Sequence, residues 1–123
     1  MRTILALLAL TSLGAGSAFA QDPVDVDSEH YTVMFENDQV RVLKIRYGPN
    51  EESVMHEHPA GVAVYLGDIR GQFTLPDGQV LELEGKAGDA EWTAAGAHLP
   101  KNLTDQPFEL VLVELKTPQP GAE

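Results

Sequence analysis

The sequence of 123 residues contains no cysteine, so thiolate metal sites, thiol nucleophiles and covalent haem attachment are excluded. Disulfides cannot stabilise the fold either, and a sheet with its hydrophobic core must do this alone. No segment shows the period of an amphipathic helix. The longest apolar run lies near the start of the chain and is shorter than the roughly 20 residues that span a bilayer.

Basic residues are scarce: 8 Lys and Arg stand against 19 Asp and Glu, for a net charge of −11. The densest basic stretch is Arg41, Lys44 and Arg46, in which each basic residue is separated from the next by apolar ones. Nucleic acid and anionic membrane surfaces are therefore poor partners. The acidic residues are spread along the chain, a pattern that is typical of proteins kept soluble by their net charge.

The two ends of the chain differ from its centre. Residues 1–20 have the pattern of a signal peptide, with Arg2, an apolar stretch from Ile4 to Leu13, and an A-x-A site that predicts cleavage after Ala20. We therefore expect a periplasmic or secreted protein without a membrane anchor after cleavage. Residues 21–29 are predicted to be a flexible arm, residues 30–116 one domain, and residues 117–123 a tail.

The central segment predicts an all-β sandwich or barrel, because short β-type runs alternate with turn residues such as Pro76-Asp77-Gly78-Gln79. In the second run the alternation of apolar and polar residues slips once, and we expect a bulge near Leu43. The predicted strands are Tyr31–Glu36, Val40–Tyr47, Ser53–His58, Val62–Leu66, Ile69–Leu75, Val80–Glu84, Asp89–Thr93, His98–Leu103 and Phe108–Lys116.

Three of the four histidines are spaced for metal binding. His56 and His58 are two residues apart on a predicted strand, so their side chains point to the same face. Their rings can then converge on one ion at about 2.0–2.2 Å. His98 begins a later strand and can supply a third imidazole. His30 lies outside this pattern, and we expect it to be a surface residue.

The segment from Gly48 to Asn102 resembles the cupins, which have a double-stranded β-helix or jelly-roll fold. Their first motif, G-x5-H-x-H, is matched by His56-Glu57-His58 with Asn50 in the place of the glycine. Asn tolerates the left-handed turn that glycine adopts there. The second motif is matched from Gly88 to the ending His98-x3-Asn102, although Ala94 replaces its proline and one residue is missing before His98. The resemblance implies a small single-domain cupin that binds a small molecule.

The resemblance also implies a divalent metal held by His56, His58 and His98. The carboxylate ligand of the family is expected four residues after the second histidine, where this chain has Val62. The chain is similar in this respect to cupin dioxygenases that use three histidines, of the cysteine-oxidising and related kinds. If it is an enzyme, the resemblance implies a metal-dependent oxidoreductase of the dioxygenase type acting on a small organic substrate.

Several alternatives stay open at this point. The protein could bind a metal or small ligand without turnover, or it could be a metal-free barrel with a vestigial site. The identity of the metal is also open, since Fe, Mn, Ni, Cu and Zn all accept imidazole ligands, and the sequence assigns no catalytic residue. A homodimer is a further expectation, because Phe108–Leu115 is a long apolar strand that would invite pairing if it lay at an edge.

Overall fold

A computed structural model describes residues 21–116. The predicted signal peptide, residues 1–20, and the predicted tail, residues 117–123, lie outside the described residues. No helix within 21–116 is long and apolar enough to cross a bilayer. One short helix, α1 (Pro23–Val26), precedes the strands β1 (Tyr31–Glu36), β2 (Val40–Tyr47), β3 (His56–His58), β4 (Gly61–Tyr65), β5 (Ile69–Thr74), β6 (Val80–Gly85), β7 (Ala90–Thr93), β8 (Gly96–Asn102) and β9 (Phe108–Leu115).

The strands form two antiparallel sheets, so the predicted all-β class is confirmed. One sheet has the order β1-β2-β9-β4-β7 and the other the order β3-β8-β5-β6. Their facing surfaces enclose the core, which consists of Tyr31, Leu43, Ile45, Tyr47, Ala63, Tyr65, Ile69, Phe108 and Leu112. Most predicted strand bounds agree within one or two residues, but β3 begins at His56 rather than at Ser53.

The last strand, β9, is not an edge. It pairs with β2 along its whole length and with β4 on its other side. The argument that Phe108–Leu115 would invite pairing as an exposed edge is therefore wrong. The edges of this sheet are β1 and β7, and a homodimer stays a prediction without support from β9.

The bulge was predicted near Leu43 in β2, but it lies in the neighbouring strand β1. The register shifts in β1, between Val33 and Phe35, whereas β2 pairs with β9 without interruption. Inward positions of β2 alternate regularly from Arg41 through Leu43 to Tyr47. The slip in the sequence pattern arises because a charged residue, Arg41, occupies one of these interior positions.

The segment 21–29, expected to be a flexible arm, instead packs against the sandwich. Asp22 caps α1 by accepting a hydrogen bond from the Val24 amide at 2.9 Å, and Pro23 is buried. The Gln21 carbonyl accepts a hydrogen bond from the Glu57 amide at 2.9 Å, so this segment covers the outer edge of β3. The polar composition of the segment reflects specific capping and pairing rather than disorder.

Candidate metal centre

Three histidine rings meet between two neighbouring strands. His56 and His58 point inward from β3, and His98 on β8 is the direct cross-strand partner of His56. The ring centroids are 4.7 Å apart for His56 and His58, 5.0 Å for His56 and His98, and 5.2 Å for His58 and His98. One nitrogen from each ring lies within 4.8 Å of the other two. The structure therefore brings together all three residues predicted from the sequence.

Hydrogen bonds fix which nitrogens of the first two rings are unprotonated. The Nδ1 atom of His56 is 2.8 Å from the Val54 carbonyl, which can only accept, so Nδ1 carries the proton in the neutral ring. The Nδ1 atom of His58 likewise donates to Glu114 Oε2 at 2.6 Å. In the neutral rings, the Nε2 atom of each then carries a lone pair rather than a proton.

These two Nε2 atoms are only 3.0 Å apart. Two lone pairs at that distance repel each other unless a metal cation lies between them or one ring carries a second proton that it donates to the other. Two ligands at about 2.1 Å from one ion and at right angles to each other would be separated by about 3.0 Å. The spacing and the tautomers of His56 and His58 thus fit a metal ion.

His98 is held less tightly than the other two. Its ring stacks on Phe73 with centroids 4.2 Å apart and an interplanar angle of 26°. Within the range 21–116, neither ring nitrogen of His98 makes a hydrogen bond with another residue. A metal ion would supply the missing partner for one of these nitrogens.

Burial also keeps the rings of His56 and His98 neutral, as metal ligation requires. Loss of hydration lowers the pKa of His56 to about 4, and the neighbouring His58 adds to this shift. Loss of hydration, together with the same neighbouring rings, lowers the pKa of His98 to about 3. Both rings are therefore in the ligating form at neutral pH.

A partly buried chain of charges supports His58 from the opposite sheet. Glu114 of β9 is 1% exposed, and its Oε1 accepts a hydrogen bond from Arg41 Nε at 2.7 Å. Arg41 in turn donates a hydrogen bond from Nη1 to Asp22 Oδ2 at 2.7 Å. Burial alone would raise the pKa of Glu114, but its hydrogen bonds with His58 and Arg41 outweigh burial and lower it. Glu114 thus stays ionised and holds the Nδ1–H tautomer of His58.

The sequence interpretation missed this chain of charges, although two signals were present. Arg41 interrupts an otherwise regular set of interior positions in β2. Glu114 is an acidic residue within an apolar strand of the sequence FELVLVEL, at a buried position of that strand. A buried charge of each sign on adjacent strands indicates an ion pair, and Arg41 and Glu114 are cross-strand partners.

A second polar group lies beside His56. Tyr31 Oη is 3.1 Å from His56 Nε2 and 2.5 Å from Tyr47 Oη. Ser53 Oγ donates to Asp27 Oδ2 at 2.5 Å and lies 3.3 Å from His56 Nδ1. These contacts surround the His56 ring with polar groups, and no sequence pattern indicated them.

His30 is not the surface residue that we expected. Its side chain is only 10% exposed and lies between two carboxylates, with Nδ1 2.7 Å from Asp27 Oδ2 and Nε2 2.5 Å from Glu51 Oε2. Its ring also stacks on Tyr47 at 4.5 Å. Burial would lower the pKa of His30, but the hydrogen bonds with Glu51 and Asp27 outweigh burial and raise it. His30 belongs to an ion-pair cluster and is separate from the three-histidine group.

Val62, the residue at the position of the family's carboxylate ligand, does not face the histidines. Val62 lies on the outer face of β4, because the buried, inward residues of this strand are Gly61, Ala63 and Tyr65. A carboxylate at position 62 would therefore point away from the histidines. At Gly61 a Cβ would lie 2.1 Å from the Val113 carbonyl oxygen, so that position cannot carry a side chain without movement of β9.

The two asparagines of the motifs have structural roles. Asn50 adopts φ 57°, the left-handed conformation expected where the family motif has glycine. Asn102 is fully buried, and its Nδ2 donates to the carbonyls of Gly48 at 2.9 Å and Gln106 at 2.7 Å. Asn102 therefore ties together the two loops that contain Gly48 and Gln106.

A cavity of about 390 Å³ adjoins the histidines between the two sheets. His58 and His98 lie at one side of it, and most of its wall is aliphatic or aromatic. A space of this size next to candidate metal ligands can receive a small organic molecule.

Comparison with known proteins supports this architecture. No family model matches the sequence, and no curated protein matches it. Among solved structures, a cupin domain protein from Bordetella pertussis Tohama I is 26% identical, with a TM-score of 0.66 over 71% of this chain and 92% of that chain. A protein with a double-stranded β-helix domain from Klebsiella pneumoniae is 24% identical, with a TM-score of 0.57 over 70% and 75% of the two chains. An RmlC-like cupin from Methanocaldococcus jannaschii is 15% identical, with a TM-score of 0.56 over 69% and 77%.

Proposed function

We propose that this chain, which folds as a small cupin, binds one divalent metal ion through His56, His58 and His98. The observation that carries the proposal is the convergence of the three rings, with one nitrogen of each within 4.8 Å of the other two and the Nε2 atoms of His56 and His58 3.0 Å apart. Fe, Mn, Ni, Cu and Zn are all candidates, because each accepts imidazole ligands. The bound ion would act as a Lewis acid toward a small organic ligand.

The residues around the histidines have distinct tasks in this proposal. Glu114 keeps the Nδ1 proton on His58 and so directs Nε2 of that ring to the ion. The Val54 carbonyl does the same for His56. Phe73 limits rotation of His98 by stacking. The apolar wall of the cavity would pack against the apolar part of a ligand bound beside the histidines.

A dioxygenase-type oxidoreductase acting on a small organic substrate is the more specific candidate. It is supported by the cavity beside His58 and His98 and by the lack of a carboxylate from Gly61, Val62 and Ala63. Three protein ligands leave coordination positions for both a substrate and dioxygen. Binding without turnover is the alternative, and a vestigial metal-free site is the third.

Metal titration of the purified protein tests the proposal. We expect one equivalent of Zn²⁺ or Fe²⁺ to bind the wild type and at least a hundredfold weaker binding to a His98→Ala variant. His30→Ala removes the remaining histidine, which lies outside the group, and is expected to retain the metal. Equal binding by the His98→Ala variant and the wild type, or no binding by the wild type, would overturn the proposal.

Oxygen uptake separates the catalytic candidate from the binding candidate. The iron-loaded protein is mixed with thiols, phenols and diketones while dissolved oxygen is recorded. Uptake that depends on His98 supports the oxidoreductase. A protein that binds iron but consumes no oxygen across the three classes supports binding without turnover.

Export to the periplasm or the medium is also part of the proposal and is supported by the pattern of residues 1–20. Cell fractionation and N-terminal sequencing test it. We expect the exported protein to begin at Gln21, and a cytoplasmic protein that retains Met1 would contradict the proposal.

A further inference from the structure

The outward face of the five-stranded sheet is apolar, although an antiparallel sheet that faces solvent usually carries polar residues there. Each strand contributes one residue to a row that crosses the whole sheet through direct cross-strand partners. In the strand order β1-β2-β9-β4-β7, this row consists of Phe35, Val42, Val113, Val62 and Trp92. The row points away from the core, because the residues next to it along the strands, such as Leu43 and Leu112, are buried inside.

Further aliphatic residues flank the row on the same face. They are Val40 and its partner Leu115 on one side, and Val64 and its partner Val111 on the other. The two aromatic residues at the ends of the row are largely in solvent, with Phe35 54% exposed and Trp92 57% exposed. As an edge, β9 gives no support to a homodimer, but its outward face lies at the centre of this apolar surface.

The register shift in β1 is what adds Phe35 to the row. Val33 precedes the shift and is the partner of Leu43, which points into the core. Phe35 follows the shift and is the partner of Val42, which points outward. Residues two apart on a regular strand would share a face. The bulge thus redirects an aromatic ring onto the outer face of the sheet.

Charged residues lie only at one end of this face. Among the outward residues of its five strands they are Lys44, Arg46 and Glu109, and Glu109 is 3.6 Å from Lys44 and 3.2 Å from Arg46. Two positive charges and one negative charge leave a small positive excess, whereas the whole chain carries −11. Two copies of so acidic a chain repel each other over most of their surface, but not at this face.

The size of the face fits a second copy of the chain. Strands lie about 4.8 Å apart and outward residues roughly 7 Å apart along each strand, so the apolar residues cover roughly 500 Å². Monomeric proteins rarely leave a contiguous apolar patch of more than a few hundred Å² in solvent. A stable pair buries roughly 800 Å² on each partner, and a polar rim around an apolar centre supplies the remainder.

From these features we propose that two copies of the chain associate through this face, with the two sheets packed about 10 Å apart. A two-fold axis along β9 would bring Phe35 of each copy against Trp92 of the other, and Val113 against its own equivalent. Both exposed aromatic rings would then be covered by an aromatic partner. This interface does not involve the metal site, because the three histidines lie inside the sandwich.

Sedimentation velocity combined with the fluorescence of Trp92 tests the proposal. Trp92 is the only tryptophan of the chain, so its emission reports on this face. We expect a dimer that dissociates on dilution, with emission at shorter wavelength and weaker quenching by acrylamide in the dimer. A monomer at every concentration would overturn the proposal. A dimer in which Trp92 emits and is quenched as in the monomer would also overturn it, because the copies would then pair elsewhere, for example along the edge of β1.

Two substitutions and a matched control locate the interface. Val113→Lys places a charge beside its own equivalent, and we expect the dissociation constant of the dimer to rise about a hundredfold or more. Trp92→Lys changes a side chain that is already exposed, so the fold is retained, and it should weaken the dimer about tenfold or more. Val80→Lys is the control, since Val80 is 52% exposed on the edge strand β6 of the other sheet, and it should dimerise like the wild type.

Circular dichroism establishes that each variant is folded before its association is measured. If Val113→Lys fails to fold, the comparison of Trp92→Lys with Val80→Lys decides the outcome. Wild-type dimerisation by a folded Trp92→Lys variant, or equal weakening by Trp92→Lys and Val80→Lys, would show that this face is not the interface.

Discussion

Glu114 accepts a hydrogen bond from His58 across the two sheets, with 2.6 Å between Oε2 and Nδ1. This single contact joins the candidate metal centre on β3 to the central strand of the other sheet. Through Arg41 it also joins the centre to Asp22 at the start of α1. The position of one imidazole thus depends on charges from three separate parts of the chain.

Replacement of Glu114 tests this dependence. In Glu114→Gln the ring of His58 loses its charged acceptor, so Nε2 becomes a weaker ligand and its tautomer is no longer fixed. We expect metal affinity to fall about 10- to 100-fold, as measured by competition with a chelating dye. Glu109→Gln changes a partly exposed carboxylate on the same strand and should leave affinity unchanged. Equal loss in the two variants would contradict the role of Glu114.

Arg41 provides a test of stability. Arg41→Ala leaves Glu114 buried without its cation, and we expect the free energy of unfolding of the metal-free protein to fall by about 3 kcal/mol. Arg46→Ala removes an exposed arginine from the same strand, whose side chain is 58% exposed, and should cost less than about 1 kcal/mol. Urea denaturation measures both. A double variant, Arg41→Ala with Glu114→Ala, should cost less than the sum of the two single changes, and strict additivity would show that the pair is not coupled.

The metal-free protein should become less stable as the pH falls from 6.5 toward 5. Histidine in the unfolded chain has a pKa of 6.5, whereas burial lowers the pKa of His56 to about 4 and of His98 to about 3. The unfolded chain therefore binds more protons than the folded chain in this range, and acid favours unfolding. Urea midpoints at pH 7 and pH 5 measure the effect. His98→Gln should show a smaller difference between the two pH values, and an undiminished one would contradict the assignment.

His30 should act in the opposite direction above pH 6.5. Its pKa is raised in the folded protein because the hydrogen bonds with Glu51 and Asp27 outweigh burial. Its contribution to stability is therefore complete below the unfolded pKa of 6.5 and is lost as the pH rises through the folded pKa. We expect urea midpoints of the wild type to decline between pH 6.5 and pH 8.5. In a His30→Gln variant this decline should be smaller, and a slope equal to that of the wild type would show that another group is responsible.

Local patterns predicted the all-β class, most of the strands and the shared face of His56 and His58, because each depends on residues close together in sequence. His98 is distant in sequence, and it joined the predicted set through the match to the second family motif. Side-chain alternation alone places His56 and His58 on one face. The position of β9 between β2 and β4 was missed, since the pairing of distant strands leaves no local signal in a single sequence. The helical cap at Asp22 and the tie between Gln21 and Glu57 were missed for a related reason. A polar, acidic segment has the composition of a flexible arm, and only its long-range partners make it ordered.

X-ray absorption spectroscopy of the zinc-loaded protein tests the central claim most directly. We predict three imidazole nitrogens at about 2.0–2.1 Å from zinc, and two in the His98→Ala variant under conditions in which it still holds the metal. A spectrum with one imidazole or none in the wild type would contradict the account.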